Sequence, residues 1–194
     1  MSEYLSNQLA ECLCKNGLIT ANETNDYRYY TQLFLEKLIG FSLILLVALS
    51  NHLLLQTIFF LLFFSNIRKY SGGFHAKNFL ECIILSLIVY LGYVRLLFPY
   101  LLQTSWLNTC LLAGAFAIIL TIGAVNHPNM HWDREEYIMC KNTARLICVV
   151  EIGIIIAFSL IGISYSYILF MSFGVILSAI MLLIAKFIRQ EVIF

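Results

Sequence analysis

The sequence predicts an all-α, polytopic membrane fold with six transmembrane helices, and three observations lead to it. Of 194 residues, 61% are hydrophobic and only 12% charged, with a mean hydropathy of +0.86. A soluble domain carries about 25% charged residues, and no soluble fold of this length hides so much apolar surface. The apolar residues fall in runs near the length of about 20 that a helix needs to cross a bilayer. The basic residues gather at alternate ends of those runs, the asymmetry that orients a membrane protein. A net charge of +1 gives no case for nucleic acid as a partner.

The first thirty residues form a cytoplasmic or interfacial segment without the continuous apolar core of a signal peptide. Within it Leu5, Leu9 and Leu13 recur at i, i+4 and i+8, with Gly17 as a stop. That spacing predicts a short amphipathic helix, lying on the membrane or packed against the ends of the spans. The six spans then occupy 31–187, and the whole chain, 1–194, reads as a single membrane domain. Residues 31–67 cannot be one span, because the apolar part from Leu38 to Phe64 would run about 40 Å as a helix, against a hydrocarbon core of about 30 Å. Asn51 and His52 interrupt its middle, so the run divides into 31–50 and a short 53–67. Residues 79–98, 104–125, 144–163 and 165–187 complete the set.

With both termini in the cytoplasm, the loops at 68–78 and 126–143 also lie inside. Eleven of the twelve lysines and arginines then sit on or near that side, and only Arg95 falls toward the outside. Five spans would strand the basic residues of the amino-terminal segment outside. The six cysteines show no CxxC pair and no disulfide framework, and a cytoplasmic face predicts reduced thiols.

One passage departs from the apolar pattern: RKYSGGFHAKNFLEC, residues 68–82. Ser71-Gly72-Gly73 breaks the preceding helix, since paired glycines favour turns and close backbone approach. Asn78 is a good N-cap and Glu81, three residues on, resembles the second half of a capping box. Cys82 then falls in the first turn of the third span, where the positive end of the helix dipole stabilises a thiolate. His75 lies seven residues earlier, about 10.5 Å away on a continuous helix, too far to exchange a proton with a thiol. A loop through 71–77, folded back over the helix start, removes that obstacle. The plainer reading is a solvated loop histidine and a packing cysteine, and spacing alone leaves both open.

Other polar groups carry less. His127 and His131 have i, i+4 spacing, but Pro128 lies between them and no HExxH pattern or acidic third ligand accompanies them; a polar interfacial loop fits better. Asp133, Glu135 and Glu136 read as a solvated face. Arg95 and Glu151 fall in or near spans, where ionisable groups are costly and often functional, although each can also snorkel or find a local partner.

The pattern R-x-x-S-G-G-x-H-A, followed by a cysteine at a span's start, resembles the AgrB family, the accessory gene regulator B membrane endopeptidases of Gram-positive bacteria. Length and six-span layout agree. The resemblance implies a cysteine peptidase of the bacterial cell membrane in quorum sensing, which cuts the carboxyl-terminal tail from an AgrD-like precursor peptide and promotes its cyclisation. It implies Cys82 as nucleophile and His75 as its base, with Arg68, Gly72 and Gly73 binding substrate or positioning the loop. It also implies a homodimer and no metal or organic cofactor. A small transporter or channel, or a non-enzymatic membrane scaffold, is the competing class; the spans' nearly uniform Leu and Ile faces argue against a conduit.

Overall fold

The computed structural model describes residues 2–20, 23–74, 79–126 and 132–188. Among these residues eight α-helices run α1 Ser2–Lys15, α2 Thr24–Ser50, α3 Leu54–Ser71, α4 Phe79–Gly92, α5 Phe98–Gln103, α6 Ser105–Ile122, α7 Arg134–Ile161 and α8 Tyr165–Phe187, with a π-helical turn, Tyr93–Leu97, joining α4 to α5. Among the described residues, five stretches are long and apolar enough to cross a membrane: Tyr30–Ser50, Phe79–Gln103, Ser105–Ile122, Arg134–Ile161 and Tyr165–Phe187. The chain is an all-α polytopic membrane protein. The remaining expected span is α3, only 18 residues long and ending in Arg68 and Lys69.

The chain divides into two compact units, Met1–Val47 and Ala48–Phe194. In the first, α1 closes at Gly17, in the left-handed region at φ 67°. Leu18 N–H donates to Leu13 O and Gly17 N–H to Cys14 O, both at 3.0 Å, the paired bonds that satisfy orphan carbonyls at a helix end. Leu9 stays exposed along α1. Ahead of α2, the Glu23 carboxylate accepts from Thr20 N–H and hydroxyl at 2.9 and 2.7 Å.

The second unit begins at Ala48, in the last turn of α2, just ahead of the break expected at Asn51–His52. Its geometry repeats that of Gly17 with a different residue: Leu53 N–H donates to Ala48 O at 3.0 Å and His52 N–H to Leu49 O at 3.1 Å, with His52 at φ 56°. The core beyond it is built from α3, α6, α7 and α8, where Ile67, Ile119, Cys148, Met171, Val175 and Leu182 are fully buried. Small residues let the helices close: a Cβ on Gly174 of α8 would lie 2.9 Å from Phe63 Cβ and Phe64 N, and 3.0 Å from Phe60 O, all on α3. In lipid, where hydrocarbon offers no hydrophobic drive between helices, such close packing supplies the attraction.

The helix from Phe79 differs in two ways from a plain span. It runs on to Gln103, and it widens at Tyr93–Leu97, just before Pro99. Proline lacks the N–H that the Arg95 carbonyl would otherwise accept and its ring crowds that carbonyl; the wider turn relieves both. Tyr93 OH donates to Leu169 O of α8 at 2.9 Å, and the Tyr90 and Thr57 hydroxyls lie 2.6 Å apart. Tyr93 also stacks on Phe173, with ring centroids 3.7 Å apart and planes 6° from parallel. These two tyrosines fasten the helix to α8 and α3. Arg95, beside them, is exposed.

The seventh helix starts ten residues before the expected span at 144, inside the expected loop. Asp133 and Glu136, expected as a solvated face, form a reciprocal capping box at 2.8 and 3.1 Å, which satisfies orphan N–H groups and fixes the start at Arg134. Glu151 is buried in α7, with Asn66 of α3 beside its carboxyl.

Candidate active site

At one end of the second unit the exit of α3 meets the exit of α6, and Cys82 at the start of α4 lies within electrostatic reach of Arg68. The α3 helix stops after Ser71 because Gly72 and Gly73 take φ values of 63° and 106°, which a side chain tolerates poorly. Gly73 has a further reason to lack a Cβ. An added carbon would strike Arg68 Nη1 and come within 3.2 Å of the Met181 carbonyl oxygen.

The turn is held from several sides. Phe74 N–H donates to Met181 O of α8 at 3.1 Å, and Val125 N–H donates to Ser71 O at 2.8 Å. Gly72 and Val125 form a single parallel β-bridge. Arg68, one turn before the glycines, donates from Nη1 to Gly72 O and from Nη2 to Phe74 O. A planar guanidinium with its donors in a fixed fork is suited to two carbonyls at once. Burial pulls the Arg68 guanidinium down to about 10, an effect partly offset by its nearness to Cys82. Arg68 is therefore charged at neutral pH, occupied by the loop, and within electrostatic reach of Cys82.

Cys82 is exposed in the first turn of α4, which begins at Phe79, with Glu81 beside it. Nothing described from Phe79 to Val89 is buried, so the sulfur stands on a lightly covered helix. His75 and the expected cap Asn78 lie outside the described residues, as do His127 and His131. Of the five site residues predicted from sequence, Arg68, Gly72 and Gly73 are brought together, and Cys82 lies near them.

The sequence reading passed over the exit of α6. Gly123, at φ 76°, lets the chain turn tightly against Lys141 and Arg145 of α7. Tyr137 OH donates to Ala124 O at 3.2 Å and Arg145 Nη2 to Thr121 O at 3.1 Å. Asn126 follows, 3% exposed, with Nδ2 donating to Trp132 O at 3.2 Å. The only local signal for this segment was a glycine at the end of an apolar run followed by a polar residue. Among the described residues, no three His, Cys, Asp or Glu side chains group as metal ligands.

Comparison with known proteins gives the chain's relatives. An AgrB-like protein of Listeria monocytogenes serotype 4a is 33% identical over 93 residues, covering 48% of this chain and 43% of that relative. AgrB-like proteins of Listeria monocytogenes serovar 1/2a and Listeria innocua serovar 6a are each 32% identical over the same shares. The matched stretch thus spans less than half the length of these curated relatives. No solved structure matches the chain. The family model for accessory gene regulator B matches residues 6–182, from the first helix into the last, and on that match the chain belongs to the AgrB family.

Proposed function

We propose that the chain is a membrane cysteine endopeptidase that removes the carboxyl-terminal tail of an AgrD-type precursor peptide and hands the remainder on for cyclisation. The observation that carries this reading is the turn at Gly72–Phe74, clamped by Arg68 beside the exposed thiol of Cys82. A turn held at three points delivers the chain to position 75 from a fixed origin, as a base that must meet a nucleophile requires.

The reaction balances with the residues present. His75 takes the Cys82 proton, and sulfur attacks the scissile carbonyl carbon, forming the C–S bond. Backbone N–H groups in the first turn of α4 stabilise the oxyanion. As the C–N bond breaks, His75 returns the proton to the departing amine. The precursor's body is left as a thioester on Cys82. A thiol or hydroxyl within that peptide then attacks the thioester carbonyl, gives up its proton and closes a thiolactone or lactone, restoring the Cys82 thiol. The second exchange competes with hydrolysis, which favours a sulfur at the lipid boundary over one in an open aqueous cleft.

Arg68 serves here as a loop clamp, because a donor on each of its two terminal nitrogens is committed to Gly72 and Phe74. Gly72 and Gly73 set the turn. The catalytic end lies in the cytoplasm together with both termini, and the enzyme works as a homodimer. The test is co-expression of the full chain with an AgrD-type precursor, reading tail release by mass spectrometry. Cys82→Ala abolishes release at unchanged membrane abundance, and Cys82→Ser retains almost none of it, a serine hydroxyl beside one imidazole being the poorer nucleophile. Undiminished release by Cys82→Ala refutes the proposal.

A further inference from the structure

Glu151 places an acid in the packed interior of the second unit. It lies in the body of α7, 4% exposed, and both carboxyl oxygens are buried without accepting a hydrogen bond from any described residue. Asn66 of α3 stands beside the carboxyl. Cys148, one turn earlier on α7 and fully buried, is its other near neighbour. A carboxylate offers only acceptors and needs donors or a cation around it; a buried one lacking both holds a proton instead.

No counter-ion is supplied by the helices packed on α7, which are α3, α6 and α8. Their cations are Arg68 and Lys69 in the last turn of α3 and Lys186 in the last turn of α8, while α6 carries none. Arg68 is engaged by the turn at Gly72–Phe74. Their other titratable groups are Tyr70, Tyr165 and Tyr167, all in end turns, and Cys110, which is exposed. On α7 itself, Arg145 is six residues away, about 9 Å along the axis, and donates to Thr121 O. Asn66 thus remains as the polar partner from another helix. An acid and a primary amide match each other: the O–H donates to the amide oxygen and the amide N–H to the acid's carbonyl oxygen. Such a neutral pair can tie two helices together in lipid.

We propose that Glu151 is a proton-binding site whose protonated form latches α7 to α3 through Asn66. Asn66 lies two residues before Arg68, so the latch steadies the part of α3 that carries the loop clamp. Loss of the proton leaves an unpaired charge between the helices, and they part locally to admit water. Neither Glu151 nor Asn66 is needed to balance the Cys82 reaction, so this proposal stands apart from that reading.

Cys148 supplies the readout, because a fully buried thiol reacts only when its surroundings open. The full chain in lipid vesicles is treated with N-ethylmaleimide from about pH 6 to about pH 9.5, and labelling of the Cys148 peptide is compared by mass spectrometry between wild type and Glu151→Gln, whose ratio cancels the ordinary rise of thiol reactivity with pH. The two label equally slowly at the acid end; at the alkaline end wild type labels about tenfold faster, the latch having opened. Asn66→Leu raises labelling of wild type at the acid end and adds nothing in a Glu151→Leu background. A ratio near one throughout, or an equal effect of Asn66→Leu in both backgrounds, overturns the latch. Faster labelling of Glu151→Gln at the acid end shows that the charge itself is structural and overturns the proton site. Should the glutamine variant fail to fold, wild type decides alone: dicyclohexylcarbodiimide, which adds to a carboxyl through its acid proton, modifies Glu151 at the acid end, and an unmodified Glu151 overturns the proposal. Precursor cleavage enters none of these readouts, so each of these failures leaves the Cys82 reading untouched.

Discussion

Helix α8 and the helix from Phe79 to Gln103 have similar lengths and apolar compositions, yet 67% of the most apolar stretch of α8 is buried against 17% for the other. The difference lies in what the neighbours require. Around α8, Gly174 admits the backbone of α3, and Ser172 and Ser178 are buried with the helix. The Phe79 helix is fastened at Tyr90 and Tyr93 and bears Cys82, the proposed nucleophile, at its uncovered end. On that proposal, packing and chemistry fall to different helices.

Substitutions can break that division in graded steps. The largest expected effect is Gly174→Leu, which drives a side chain into Phe60, Phe63 and Phe64 and costs about 3 kcal/mol or more, seen as a marked fall in detergent-solubilised Tm with loss of activity as a consequence. Gly73→Ala acts in the opposite way: tail release falls about 100-fold, because the added carbon meets Arg68 and the Met181 backbone, while Tm moves little. Tyr93→Phe removes one buried hydroxyl donor and costs about 1 kcal/mol, measured as a small decrease in Tm. Smallest is Ile84→Ala, at an exposed site in the early turns of α4, with stability changed by less than about 0.5 kcal/mol. A large Tm loss from Ile84→Ala would show that α4 is covered by protein at its Cys82 end.

Much of this was legible in the sequence, for identifiable reasons. The span ends at Ser50 and Phe187 follow from polar residues interrupting or closing long apolar runs. The end of α3 at Ser71 follows from paired glycines. Other features depend on neighbours that a linear pattern does not name. The early start of α7 required reading Asp133 and Glu136 as one capping unit. The burial of α8 depends on which helices face Gly174. Likewise Arg68 has the same composition signature whether it is an ordinary inside-facing cation or a clamp on two carbonyls. Val125 and Asn126 belong to the site only because a distant turn pairs with them.

The seam between the two loops is written almost wholly in main-chain atoms: Phe74 to Met181, Val125 to Ser71 and the Gly72–Val125 bridge. The bonds themselves make no demand on side-chain identity, yet Val125 is wholly buried in the core and Phe74 packs against it. The corner is thus held twice over, by carbonyls and amides along the seam and by apolar contact beneath it.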